Sequence, residues 1–496
     1  MAVAASPENW IVAALLPMPK EVYRSDFRFP ELGVDRSHEF DDALMRAETV
    51  TELPFDRDRP AAYARAGHLM LAQVDLLVAV WDGEAARGMG GTGEIVAAAH
   101  RAEIPVLWIR PDGDDVLLLT KEDRRDALNG PLQAAVREII KPPLPLETYP
   151  KRTGWVAYDA LLRLANSERP RRVIKLGGEP HGWEAFGAAV PEGGPLGERL
   201  HTILKPRLVE ADTLAERNAH RYRSAYVIAY LLALVAVLLA LGGILAESVD
   251  VKAALVAAEL AVLGAIFWLI RRGREERWHE KWMEHRLLAE ILRHLSFLAY
   301  LGASAPARSP QTPDWVMRHL RDTSRTLGLP HATLDEDYRS TLLEAVRTHV
   351  VEDQINYHAN NVKRLRRLEH LLHGVGFASF LVAVAALGLW FAVYLLDLVG
   401  LADVYGPLKA TKVPLGLLAA AAPALGSACA GISFTGSYSE FKQRSQRTAA
   451  RLQHVTLDPS TFEATAASLR EVAAVLLEDL GAWADIYRGK GLNLPG

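Results

Sequence analysis

The residues best suited to chemistry lie between Asp82 and Glu94, where Gly83, Gly88, Gly90, Gly91 and Gly93 surround Thr92 and the two carboxylates. A glycine-rich loop that follows an apolar strand and opens a helix gathers backbone N–H groups and the positive end of a helix dipole around one point. Folds hold phosphates and other anions this way. Asp82 and Gly83, at the end of the strand, are expected to line the same crevice. Glu94 has three readings: it can attack or stabilise the anomeric carbon of an N-glycoside, hydrogen-bond a ribose hydroxyl, or favour the helix start through the dipole. Lys20 and Arg24 follow the first apolar run, in a loop that a parallel sheet would turn toward the same crevice. They either neutralise a bound phosphate or are solvated loop cations.

Other chemistry is sparse. His279, Glu280 and His285 miss the zinc-protease spacing, because the second histidine comes six residues after the first and not four, so no metal site is expected. The lone cysteine, Cys429, sits in an apolar run, which suits packing and excludes an intramolecular disulfide or a multi-cysteine metal site. Glu259 is the one ionised residue well inside an apolar segment. A carboxylate there costs about 2.5–3.5 kcal/mol on insertion scales, so it is expected to face protein or water, either lining or gating a pore or protonated and helix-bonded.

The elements that would position these residues change character along the chain. Residues 10–16, 48–53, 75–81, 104–109 and 115–119 read as strands, and 59–73 and the stretch after Thr92 as helices. This alternation predicts an α/β Rossmann-like domain over residues 1–145, with an open parallel sheet covered on both faces. Residues 146–210, rich in Pro and Gly, read as a connector. Residues 225–246, 251–270, 374–396 and 413–434 are apolar runs of about 20 residues, the length that crosses a hydrocarbon core. They predict an α-helical membrane domain of four transmembrane helices in two hairpins.

Charge placement orients the hairpins. Arg217, Arg221 and Arg223 precede the first run, Arg271, Arg272 and Arg274 follow the second, and similar clusters flank the second pair at Lys363–Arg367 and Lys442–Arg447. The positive-inside rule then places both termini in the cytoplasm of a multi-pass inner-membrane protein. No secretory leader is expected, since the first nine residues lack a basic region. With 56 basic and 60 acidic side chains and a net charge of −4, no whole-protein field favours nucleic acid.

The hairpins read as copies of one unit. Asn218-Ala-His-Arg-Tyr-Arg223 parallels Asn361-Val-Lys-Arg-Leu-Arg366, and each unit continues as span, connector, span and charged helix. The units fall at 211–300 and 356–496, with a cytosolic helical linker at 301–355. Trp278, Trp282, His285, Ala289 and Leu292 form one face of the helix after the second span. Ala422, Gly426 and Ala430, four apart, would let the fourth span pack closely on a neighbour.

The run Asp75-Leu-Leu-Val-Ala-Val-Trp-Asp82-Gly83 followed by Gly90-Gly-Thr-Gly-Glu94 resembles the SLOG superfamily of Rossmann-like domains. That superfamily includes Lonely Guy phosphoribohydrolases, the DNA-processing protein DprA and the sensor domains of melastatin-type TRP channels. The hairpin units, with Arg286-Leu-Leu-Ala-Glu290-Ile-Leu-Arg293 and the basic helix 357–370, resemble SLATT two-span effector modules of bacterial conflict systems. Together the resemblances cover residues 10–140 and 215–455. They imply a domain that recognises a nucleotide-derived ligand, with no further cofactor, and a membrane module that forms or gates a pore in antiviral defence. Because four spans per chain enclose little more than a narrow path, a conducting form is expected to be a homo-oligomer. Lonely Guy enzymes carry Gly-Gly-x-Gly-Thr-x-x-Glu. Here Thr92 precedes Gly93 and Glu94 follows at once, so recognition is expected over turnover, the alternative being a membrane-tethered nucleoside or dinucleotide N-glycosidase.

Overall fold

The expected amino-terminal strands form, but in two sheets rather than one. The computed structural model describes residues 12–111, 116–120, 125–127, 141–147, 153–303, 312–399 and 410–488, with Ala134, Arg137 and Ile139. In the first sheet β1 (Ala13–Leu16) pairs in parallel with β2 (Thr49–Glu52). After α1 (Arg59–Ala72), the strand β3 (Leu77–Val80) belongs to the second sheet. The glycine loop and α2 (Thr92–Arg101) follow, and β4 (Val106–Ile109) returns parallel to β3. Next come β5 (Val116–Leu119) and β6 (Arg125–Ala127), both in antiparallel pairings. The six residues between Ile109 and Val116 explain this: a parallel return needs a crossover of a dozen residues or more.

The second sheet has a small core of its own. Leu77 and Ala79 of β3 pack with Leu71 of α1 and with Ile95, Val96 and Ala99 of α2. The opposite face of β3 is not covered among the described residues, where Val78 and Val80 are 56% and 61% exposed. Among the described residues the expected two-sided covering is seen on one face of β3.

The rest of the chain is helical. A short helix α3 (Ala157–Ala165) lies in the connector. The first hairpin comprises α4 (Lys205–Leu245) and α5 (Val249–Glu275), and α6 (Trp278–Leu298) follows it. The segment expected as a helical linker holds α7 (Asp314–Leu327), a two-residue strand β7 (Ala332–Thr333) and α8 (Glu336–Val346). The second hairpin comprises α9 (Glu352–Leu398) and α10 (Lys412–Gly436), trailed by α11 (Tyr438–Gln453) and α12 (Phe462–Arg488).

Four helices, which contain α4, α5, α9 and α10, are long and apolar enough to cross a membrane. α4 and α9 are single rods of 41 and 47 residues, so each begins in the helical bundle and ends as a candidate span. Their two ends differ as two solvents require. Leu208, Ala211, Leu214 and Tyr222 of α4 are buried, whereas Leu231, Leu238 and Ile244 further along are exposed. Such an apolar surface, extending over several turns, is what a bilayer covers. α4 packs on both α5 and α10, and α10 packs on α9, so the spans stand in the row α5, α4, α10, α9. Glycine sets the two inner contacts: a Cβ on Gly431 would fall 2.1 Å from the Tyr230 ring of α4, and one on Gly426 would fall 2.8 Å from Ser379 Oγ of α9. Ala422 is buried beside this seam, but Ala430 is exposed, so the expected small-residue stripe is only partly used.

The two hairpin units share local peculiarities. A π-helical turn precedes each long rod, at Leu200–Leu204 and Arg347–Val351. A single non-glycine residue with positive φ lies between each returning candidate span and the helix that follows it: Arg277 at 52° and Ser437 at 48°.

Strand β7 ties these parts together. Ala332 and Thr333 pair in parallel with Thr51 and Glu52, the Thr51 hydroxyl donates to the Pro330 carbonyl, and the Val50 N–H donates to His331 Nδ1 at 3.1 Å. Leu53, at the end of β2, is fully buried in one core with Leu204, Leu288, Leu292, Leu342 and Leu469 of the helical bundle. Leu53→Ala is expected to cost about 2–5 kcal/mol, the range for a buried leucine. Because the core is shared, hydrogen exchange should quicken in α6 as well as in β2; acceleration confined to β2 would contradict the coupling.

Candidate functional site

The glycine loop lies at the surface, against the amino-terminal end of α1. Gly90 needs its φ of +81°, and a Cβ there would come within 2.6 Å of the Pro60 carbonyl and 2.8 Å of Tyr63 Cβ. Gly83 is likewise at positive φ, with the Trp108 ring 2.9 Å from where its Cβ would stand. Gly93 sits 3.1 Å by the same measure from the backbone of Glu84 and Ala86, so it holds the start of α2 against the loop. Gly91 is the residue before the first turn of α2, and the N–H groups of Thr92 and Gly93 belong to a helical first turn that no intrahelical carbonyl serves. A Cβ at Gly88 would meet nothing, so Gly88 is replaceable on steric grounds.

The carboxylates here are engaged by the protein itself. Glu94 accepts the Gly90 N–H through Oε2, and its Oε1 lies 3.6 Å from His68 Nε2. It thus closes the loop from the third helical position, much as a capping-box carboxylate does. Asp82 accepts the Glu84 N–H at 3.0 Å and pairs with Arg87 at 3.4 Å, while Arg87 also bridges to Glu84.

Tyr63 joins this loop to the one after β1. Its hydroxyl donates to Asp26 Oδ2 at 2.7 Å, its ring lies 6.0 Å from Tyr23, and its Cβ backs Gly90. Arg59, also on α1, donates to the same Asp26 carboxylate. Of the two cations expected to neutralise a ligand, only Arg24 is held by a side-chain partner among the described residues. Arg24 donates to Asp41 at 2.9 Å, and Lys20 uses its backbone N–H on Glu52 at 2.7 Å. Asp26, Arg59 and Tyr63 were not read from sequence, since nothing in their spacing shows that α1 stands between the two loops.

Glu259 shares the face of α5 with Leu255, Val262 and Ile266, the face turned to α4, and is half-buried. It has no hydrogen bond or ion pair among the described residues. Cys429 is buried, in agreement with a packing role. Among the described residues no group of His, Cys, Asp and Glu is arranged to hold a metal.

The strongest electrostatic feature lies instead beneath the spans, on α6. Arg286 bridges to Glu290 and, at 2.9 Å, to Asp212 of α4, while Arg293 donates to Glu290 Oε2 at 2.5 Å. Burial pushes the Glu290 carboxyl up, but the two guanidiniums outweigh it and hold the group at about 2. The sequence singled out Arg286, Glu290 and Arg293 as a pattern; Asp212 completes their network.

No protein-family model, curated protein or solved structure matches this chain.

Two histidines near this network, His294 buried and His220 half-buried, are neutral at pH 7. His294 is 1% exposed with neither ring nitrogen hydrogen-bonded, and burial pushes it down to about 4. His220 is also pushed to about 4, by burial first and Arg223 second. Both folded-state values lie below the model-peptide value of about 6.5. The stability these groups contribute is therefore full above pH 6.5 and is lost as pH falls toward 4, at about 1.4 kcal/mol per pH unit for each. Unfolding of detergent-solubilised protein should follow that slope, and His294→Leu should flatten it by one histidine's share. A parallel profile for the variant would contradict the assignment.

Proposed function

We propose that this chain is a membrane effector whose SLOG-like cytosolic part senses a nucleotide-derived ligand and controls a pore built from its SLATT-like hairpins, in bacterial defence. The observation that carries this reading is the core shared by Leu53 of the first sheet and the cytosolic ends of the spans, with β7 stitched onto β2. A ligand that moves the loops around α1 strains that core, and the rods transmit the strain, because α4 and α9 run unbroken from core to span. The paired π turns and the paired positive-φ junctions support duplication of one unit. A row of four spans encloses no channel alone, which supports assembly of several chains, with Glu259 as the group best placed to meet a water path.

Binding is favoured over glycoside cleavage because Glu94 and Asp82 are spent on the loop's own N–H groups. A ligand would use the first-turn N–H groups of α2 and the edge of Tyr63. Differential affinity for the open and closed forms is the only means by which it can shift them.

Reconstitution in dye-loaded liposomes tests the reading. A mixture of ribonucleotides should raise leakage severalfold for the wild type and for Gly88→Ala, and should fail with Gly90→Ala, whose new Cβ cannot fit against Pro60. Leakage that ignores nucleotides, or that persists unchanged in Gly90→Ala, would contradict it.

A further inference from the structure

The connector before the first hairpin docks where α4 turns apolar. Thr153–Gly154 and Ile174–Lys175 pair antiparallel, and α3 lies between them in sequence. This small unit is pressed onto α4: a Cβ on Gly154 would fall 3.0 Å from the His220 ring, and the Tyr158 N–H donates to the Ser224 hydroxyl at 3.3 Å. Both contacts come just before residue 225, where the apolar run begins.

Beside them is an open groove of about 430 Å³, walled by Trp155, Val156, Ala157, Arg172 and Val173 of the connector and by Ile228 of α4. Ile228 is the fourth residue of the apolar run, so the groove is continuous with the surface that a bilayer covers. Val173 is 59% exposed at that level. Arg172 and its neighbour Arg171 are exposed too, and neither guanidinium has an ion pair or hydrogen bond among the described residues. On α5, Trp268 is exposed third from the end of its own apolar run, with the Arg272 guanidinium 5.4 Å from its ring. Aromatic rings and cations at the ends of apolar runs mark the boundary between hydrocarbon and headgroups.

An apolar trough that runs from a span to two exposed guanidiniums fits a molecule with an acyl chain and a phosphate. A soluble anion would satisfy the arginines and leave the trough uncovered, whereas a lipid covers both. Cations at this depth also favour a lipid of net negative charge over a zwitterionic one.

We propose that this groove seats an anionic phospholipid, its phosphate on Arg172 with Arg171 adding charge beside it, and one acyl chain along Val156, Val173 and Ile228. The proposal rests on the membrane crossing of α4, and on neither the nucleotide ligand nor the pore. Its consequence lies in what the connector touches. α3 packs on both α4 and α9, and Asn166 just after it accepts a hydrogen bond from Arg367 at 3.4 Å. A seated lipid therefore holds in place the one short helix that bridges the two hairpin units.

The test uses full-length protein in phosphatidylcholine nanodiscs, in a Cys429→Ala background with a bimane on Thr153→Cys at the rim of the groove. Nitroxide-labelled phosphatidylglycerol should quench the label at a mole fraction about fivefold lower than nitroxide-labelled phosphatidylcholine does. Arg171→Gln with Arg172→Gln should abolish that preference, and Arg171→Lys with Arg172→Lys should retain most of it. Glycerol phosphate in solution should not compete. A bimane on Leu238→Cys, exposed in the middle of the span, should be quenched equally by both lipids. Equal quenching by both lipids at Thr153→Cys, or a preference that survives the double glutamine variant, overturns the proposal. So does loss of the preference in glycerol phosphate, which would make the groove a site for soluble anions. Quenching at Leu238→Cys without any at Thr153→Cys overturns this proposal alone, whereas no quenching at Leu238→Cys overturns the crossing of α4 and the proposal with it.

Discussion

The helical bundle depends on the carboxylate of Glu290, which stays ionised because Arg286 and Arg293 flank it and Asp212 steadies both arginines. Removing one member of this half-buried network leaves the others less compensated, at a cost above that of a fully exposed ion pair. The network fixes α6 against α4, and α4 is the same rod that becomes the first span. The direction of that rod is thus set by charges several turns before its apolar segment. Beside the network, Leu288, Leu292 and Leu295 complete the apolar core that reaches Leu53 of the first sheet.

The membrane part follows a different rule. Lipid is as apolar as leucine, so helices there associate through close packing rather than through burial from water. Gly431 against Tyr230 and Gly426 against Ser379 supply that closeness at the two inner seams of the row. The outer faces carry Phe267, Trp268, Phe377 and Phe380, all exposed, which suits contact with acyl chains or with further copies of the chain.

Much of this was legible in the sequence because the signals were local. Runs of about 20 apolar residues, the strand ending at Trp81 and the glycines after it announce themselves within a short window. The pairing of β7 with β2 does not: the strand is two residues long, and its partner lies some 280 positions away. The antiparallel return of Val116–Leu119, by contrast, is contained in the spacing, because the connection is too short for a crossover. At the glycine loop the residue types were found but not their engagements. Glu94 binds the loop that was expected to present it, and Arg24 meets Asp41 instead of the crevice. A cavity lined by Arg223, Arg286, Arg364 and Arg444 escaped because these arginines are scattered along the chain and all but Arg286 look, in sequence, like part of a positive-inside cluster.

The account stands on four crossings that leave the sheets and the cytosolic helices on one side of the membrane. Cysteine labelling measures this directly. In a Cys429→Ala background, Ser248→Cys at the exposed tip of the first hairpin and Ser460→Cys between α11 and α12 are treated with a membrane-impermeant maleimide on spheroplasts. The account predicts that Ser248→Cys is modified at once, and Ser460→Cys only after permeabilisation. Modification of both from the outside, or of neither until the membrane is opened, would contradict it.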